Sequence, residues 1–293
     1  SFMVLDEAQH IKNRKTQNSV AAKSVQAYNR LVLTGTPVEN SVSDLWSIMD
    51  FLMPGYLGPH EQFRQLYEIP IGGGGGPAER AQGKLQRKLH PFLLRRLKKD
   101  VAKDLPPKIQ KVAHCGMTGD QQLVYQELVK TAQDKLSDLV ASKGFDRARM
   151  DVFKTLLRLR QAACHLELLK LPGPESKKPS GKLDLFMELM REAIDGGHRV
   201  LVFSQFTSML AILSRELKAA DIDFCYLDGS TKDRMGQVRK FNGDASIPAF
   251  LISLKAGGTG LNLTGADMVI HFDPWWNPAV EAQASDRAYR IGQ

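Results

Sequence analysis

Four short stretches carry residues whose types and spacing could do chemistry. In SFMVLDEAQHIKN, an apolar run, Phe2-Met3-Val4-Leu5, ends in two acids, Asp6 and Glu7. Open α/β sheets place their ligands beyond the carboxyl ends of strands. An acid there can hold Mg²⁺, directly or through water, while its neighbour orients a water that attacks a phosphoryl group. Two acids would equally suit the first turn of a following helix, where the dipole favours negative charge. In LVLTGTPVEN, a second run ends in Thr34-Gly35-Thr36-Pro37, small hydroxyl residues followed by a proline suited to a helix start. Those hydroxyls could relay between a phosphate site and something bound above it, or act as ordinary N-caps. In SLKAGGTGLNLTG, a third run leads into Gly257, Gly258 and Gly260. Glycines allow close approach to a phosphate, and free N–H groups at a helix start bind anions. Finally, QASDRAYRIGQ sets Gln283, Arg287 and Arg290 at spacings of four and three, which would share one helix face. The two arginines could converge on developing phosphate charge or form a solvated basic face.

Such residues need strands and turns to hold them. The pattern supplies two αβ series. Over residues 1–55, short apolar runs alternate with helical stretches, ending in SVSDLWSIMDFL. The second series comes after the break PGPESKKPSG: KLDLFMELMREAI, RVLVFSQF, SMLAILSRELKAA, FCYLDG, AFLISL and DMVIHF. Short β-rich runs separated by helices predict parallel sheets. Between the two series, residues 121–171 have leucines and valines at three- and four-residue spacing, which predicts helices. The glycine run 72–76 has no strand before it and no Lys-Ser/Thr after it, so it reads as a linker.

The chain has 293 residues, 43% apolar content and 25% charged residues, in the range of globular chains with two domains. No apolar run reaches the roughly 18–20 residues of a membrane span, and no signal-peptide pattern opens the chain. Three cysteines, Cys115, Cys164 and Cys225, are widely spaced and odd in number. They form neither a disulfide framework nor a zinc motif, which favours an intracellular setting. The formal charge is +8. Lys84–Lys111 alone holds ten Lys/Arg against two Asp, again +8, so one segment accounts for the excess. A solvated helix face has this composition; so does a surface that binds a polyanion by releasing its counterions.

The order of the blocks is more specific than any one of them. DEAQ, TGTP, FSQF, GGTGLNL and QxxxRxxR resemble motifs II to VI of superfamily-two helicases. The longer wording LTGTPVEN…LWSIMDFL, PFLLRRLKKDVAKDLPPK, SGKL and DPWWNPAVEAQASDRAYRIGQ resembles the Swi/Snf family of DNA-translocating ATPases, most of all its bacterial members. The resemblance covers nearly the whole chain. DEAQ replaces the commoner DEGH or DEAH, KAGGTG replaces RAGGLG, and Tyr289 stands where relatives have His. No GxxxxGK[ST] occurs. PSGKLD at 179–184 lacks the first glycine and the hydroxyl after Lys182. In this family the phosphate loop precedes DEAQ, so the resemblance implies that it lies upstream of these residues. It also implies that these residues alone do not turn over ATP.

The resemblance implies an α/β fold of two RecA-like parallel-sheet lobes with helical protrusions between them. Lobe one would be partial, at 1–55, and lobe two near-complete, at 181–293. A basic protrusion and linker would occupy 56–111, and a lobe-two protrusion 112–180. Asp6 would hold Mg²⁺, Glu7 would activate water, and Arg287 and Arg290 would act as arginine fingers, with Gly258 and Gln283 beside ATP. Gln205, Ser253, Lys255 and Trp276 would follow the DNA backbone, joined by Arg95, Arg96, Lys98 and Lys99 of the basic segment. Double-stranded DNA is the expected partner, and DNA-bound proteins such as RNA polymerase or chromatin proteins are candidates. The expected location is the cytoplasm or nucleoid in a bacterium and the nucleus otherwise.

Two other classes stay open: a non-catalytic DNA-binding scaffold of helicase-like fold, and a strand-separating helicase. DNA affinity should be weak, sequence-independent and steeply salt-dependent, since the candidate contacts are to phosphate. Neutralising Arg95, Arg96, Lys98 and Lys99 together should flatten the plot of log affinity against log salt. An unchanged slope would leave the basic segment as a solvated face.

Overall fold

The computed structural model describes residues 1–35, 42–96, 100, 107–143, 145–172, 176–258 and 260–289. The chain divides into two compact units, Ser1–Val101 and Ala102–Gln293.

In the first unit, β1 (Phe2–Leu5) pairs in parallel with β2 (Asn29–Val32), in the register Leu5↔Val32. The connection runs through a 3₁₀ turn, Ala8–Ile11, and α1 (Gln17–Ser24), whose N-cap Thr16 accepts the Ser19 N–H. Such a crossover is what parallel pairing requires. Helix α2 (Val42–Leu52) presents Ile48 and Phe51 to a core with Ile11, Met3, Leu5 and Val32. An unbroken apolar run such as Phe2-Met3-Val4-Leu5 suits a strand buried on both faces of a parallel sheet. The structure differs: Phe2 and Val4 are exposed, and only the alternate residues Met3 and Leu5 turn inward.

The glycine run also differs from expectation. A short helix, α3 (His60–Phe63), leads through a wider turn into α4 (Ile69–Gly73), and α5 (Gly75–Leu89) comes next. Gly74, at φ 73°, breaks the helical path between the last two, and Gly75, at φ 70°, opens α5 in the same left-handed region. Local composition favours a linker, but packing decides. Ala81, Leu85 and Leu89, at four-residue spacing, are buried with Trp46, Phe63 and Tyr67 and hold α5 in place. The opposite face exposes Arg80, Lys84, Arg87 and Lys88.

The second unit begins with two helices that pack together, α6 (Gly119–Lys143) and α7 (Phe145–Cys164). Buried Gln121 ties them to the start of the next helix, α8 (Gly181–Asp195). Its Nε2 donates to the Ala162 carbonyl at 2.9 Å, and its Oε1 accepts Gly181 N–H at 3.0 Å. Ser180 caps α8 by accepting Leu183 N–H. A Cβ at position 181 would meet the Gly116 carbonyl oxygen at 2.3 Å, so SGKL needs its glycine for packing.

Beyond α8 the chain forms a four-stranded parallel sheet in the order β4-β5-β3-β6: β3 (Val200–Ser204), β4 (Phe224–Leu227), β5 (Ala249–Ser253) and β6 (Met268–His271). Helices α9 (Thr207–Ala219) and α10 (Arg234–Gly243) make the crossovers. Strands β3 and β5 are buried throughout, and their side chains alternate between two cores. Val200, Val202, Ala249 and Leu251 face Met190, Leu213 and Phe272; Leu201, Phe203, Phe250 and Ile252 face Leu227, Phe241 and Leu263. This two-sided burial is why both strands read as unbroken apolar runs.

One buried and one half-buried histidine are expected to make this unit acid-sensitive. His165 is 1% exposed, and its Nδ1 accepts the Glu167 N–H. His271 stacks on Phe203 at 5.5 Å and hydrogen-bonds Ser285 through Nε2. Desolvation pushes both below the ordinary histidine range. The unfolded chain therefore takes up protons at a higher pH than the folded one. Stability is full above the unfolded value, about 6.5, and falls as pH drops through it toward the folded values. The urea midpoint should be lower at pH 5.5 than at pH 7.5, and His165→Gln with His271→Asn should shrink that difference. A wild-type midpoint that does not move across this interval would contradict the assignment.

Candidate active site

In the first unit, candidate residues lie at the carboxyl end of β1. The ladder continues past the strand, with Leu33 N–H donating to the Leu5 carbonyl at 2.8 Å and Ala8 N–H to that of Leu33 at 3.2 Å. That brings Thr34 alongside the acids. Thr34 Oγ1 donates to Gln9 Oε1 at 2.9 Å, and Gln9 Nε2 donates to Glu7 Oε2 at 2.7 Å. A hydroxyl, an amide and a carboxylate thus form one directed chain. Glu7 sits at φ 50°, ψ 51°, a left-handed conformation that is costly for a non-glycine residue. The Glu7 N–H donates to Asp6 Oδ1 at 2.8 Å. Asp6 is exposed, and its Oδ2 engages no donor among the described residues. One accessible carboxylate oxygen beside a second acid suits Mg²⁺, which keeps several waters and takes few protein ligands. Thr34 and Gln9 were not among the catalytic residues expected from the sequence; the TGTP hydroxyls were the signal for Thr34, and the Gln of DEAQ that for Gln9.

In the second unit, candidate residues gather at the carboxyl ends of β3, β5 and β6. Gln205 follows β3, and its N–H donates to Oδ2 of Asp273 at 3.1 Å. Asp273 is 3% exposed, and burial pushes its carboxyl above the usual range. Ser253, expected on a DNA-facing surface, is buried instead, and its hydroxyl accepts the Ala256 N–H at the turn after β5. Lys255, two residues on, is exposed. Gly258 ends the short 3₁₀ turn Ala256–Gly258. At Gly257 a Cβ would lie 2.9 Å from the Phe203 ring, so packing alone demands glycine there. Trp276 is 66% exposed and follows β6.

Helix α11 (Pro278–Ser285) carries half-buried Gln283 and is capped by Asn277, whose side chain accepts the Ala279 N–H. The spacing predicts Gln283 and Arg287 on one helix face, but the helix ends at Ser285. Arg287 lies in the following turn, 4% exposed, and its carbonyl accepts Leu263 N–H at 3.0 Å. This long-range bond turns the chain back toward the segment after the GGTG block. Arg95 and Arg96 are exposed. Thr36, Pro37, Lys98, Lys99 and Arg290 lie outside the described residues.

The model for the SNF2-related domain matches residues 1–168, and that for the helicase conserved C-terminal domain matches 181–292. The chain belongs to the SNF2 family. YwqA of Bacillus subtilis (strain 168), named as an ATP-dependent helicase/translocase, is 40% identical over 99% of the chain and 31% of its own length. RAD26 of Saccharomyces cerevisiae, a DNA repair and recombination protein, is 37% identical over 100% of the chain and 28% of its own length. Among solved structures, the Sulfolobus solfataricus SWI2/SNF2 ATPase core in complex with dsDNA is 39% identical, with a TM-score of 0.54 over 100% of this chain and 61% of that one. The SNF2-family chain spans less than a third of these two curated relatives, and its α/β fold of parallel sheets is that of the SNF2 ATPase core.

Proposed function

We propose that this chain forms part of a DNA-dependent ATPase that moves along double-stranded DNA without separating its strands. The directed chain Thr34–Gln9–Glu7 carries the reading, because it aims a carboxylate at the tip of a parallel strand, where an attacking water would be oriented. Asp6 would hold Mg²⁺, whose charge offsets that of the phosphates. Glu7 would align the water, with Gln9 fixing the carboxylate and Thr34 fixing Gln9. Arg287 and Arg290 would face charge developing on the γ-phosphoryl oxygens, beside Gly258 and Gln283. Gln205, Lys255 and Trp276, with Arg95, Arg96, Lys98 and Lys99, would track the DNA backbone; Ser253 would act by shaping their turn. DNA-bound proteins, such as RNA polymerase or chromatin proteins, are the targets such movement would displace.

The test uses the full-length protein on a duplex bearing a third strand. ATP should drive release of the third strand while the duplex stays paired. Separation of the duplex strands would make the protein a helicase, and no release of either kind would favour a non-catalytic scaffold.

A further inference from the structure

Arg160 belongs to no motif named above, yet it touches the loops after both β3 and β6. It projects from α7, and its Nη1 donates to Gln205 Oε1 at 3.3 Å. Its Nη2 donates to the carbonyl of Pro274. The guanidinium carbon lies 4.6 Å from the Trp276 ring centroid and 5.7 Å from that of Trp275. Gln205 follows β3 and Trp276 follows β6, and these strands are neighbours in the sheet. One guanidinium therefore bridges both loops and fastens them to a helix that is remote in sequence.

An acid lies buried beside that bridge. Asp273 is buried, the Gln205 N–H donates to its Oδ2, and Ser204 and the Gln205 side chain also favour its carboxylate. A buried carboxylate is costly unless a cation lies close. Arg160 is the cation whose charge acts on Asp273. Arginine alone suits all these contacts. Its planar fork reaches two acceptors while its face stacks on indole, and a lysine ammonium can do only part of this.

We propose that Arg160 is a positioning residue of lobe two, which holds Gln205 and Trp276 in one fixed arrangement and ties that arrangement to α7. Its consequence for DNA binding rests on the function proposed above; the positioning itself does not. In such an arrangement, Trp276 stays exposed without sampling many rotamers. A groove-facing ring held this way loses less freedom when a duplex arrives.

The experiment uses the full chain labelled with 5-fluorotryptophan, with the Trp276 fluorine signal assigned by Trp276→Phe. Without DNA, Arg160→Lys and Arg160→Met should shift and narrow that signal, while the signal of Trp46, in the other unit, stays in place as a control for folding. An unchanged Trp276 signal in both variants overturns the proposal. With a duplex, Arg160→Lys should weaken binding about fivefold, as expected for one ordered contact set. The same change should have almost no effect when Trp276 and Gln205 are already alanine. An equal loss in that background would overturn positioning and make Arg160 a direct phosphate contact. Should wild-type chain bind no duplex at all, the DNA reading fails, and the fluorine signal still decides the positioning.

Discussion

Glu7→Gln in the full-length protein is expected to lower DNA-stimulated ATP turnover by about 10²–10⁴, the range of a positioned acid–base group. Nucleotide affinity should stay within about threefold of wild type, roughly 0.6 kcal/mol. The geometry explains the asymmetry. Glutamine keeps the size of the side chain, can still accept from Gln9 Nε2 through its amide oxygen, and meets the same left-handed backbone cost at φ 50°. What it lacks is the negative charge that polarises water. Thr34→Val should produce a smaller loss, because it frees Gln9 to rotate but leaves the carboxylate present. Phosphate release at saturating duplex, beside titration with a fluorescent nucleotide, separates the two quantities. Turnover within about threefold of wild type in Glu7→Gln would return Asp6 and Glu7 to an ordinary helix start.

Much of the second unit was legible in the sequence because β3 and β5 are buried on both faces, so apolar runs mark them without ambiguity. The helices read equally well where one stripe is buried, as with Leu183, Phe186 and Met190 on α8. What escaped depends on contacts between distant residues. Gln283, Arg287 and Arg290 have the spacing of one helix face, but the helix ends at Ser285, and in the turn beyond it the Arg287 carbonyl accepts Leu263 N–H. Five glycines in a row suggest a linker, yet burial of Ala81, Leu85 and Leu89 keeps four of them in helices. Gly257 looked like a phosphate-facing glycine, and the Phe203 ring explains it without a ligand.

The site itself was half legible. Asp6 and Glu7 were marked by the end of an apolar run. The Thr34–Gln9–Glu7 chain was not, because it closes across 25 residues and only in the register that sets Leu5 opposite Val32. A one-residue slip would turn Thr34 to the other face. Arg160 lay in a stretch whose sequence announced only a helix, and nothing local connects it to Gln205, 45 residues on.

Arg290→Ala should reduce DNA-stimulated turnover by about 10³–10⁵, or roughly 4–7 kcal/mol of transition-state stabilisation. The effect is electrostatic. Negative charge spreads over the γ-phosphoryl oxygens as the bond to the leaving group breaks, and a guanidinium aimed there acts mainly on the transition state. Ground-state binding of ATP should change far less, so the loss should appear in kcat while the dissociation constant for nucleotide moves by less than about fivefold. Arg287 is a poorer place to make this measurement. It is 4% exposed, so truncation there would leave a cavity and cost folding stability as well as rate. Duplex binding should survive Arg290→Ala, since its proposed partner is the nucleotide. Arg290→Lys should recover little, because an ammonium cannot present a planar fork to two oxygens. Turnover within about threefold of wild type in Arg290→Ala would remove the finger assignment and leave a charged residue on a solvated face.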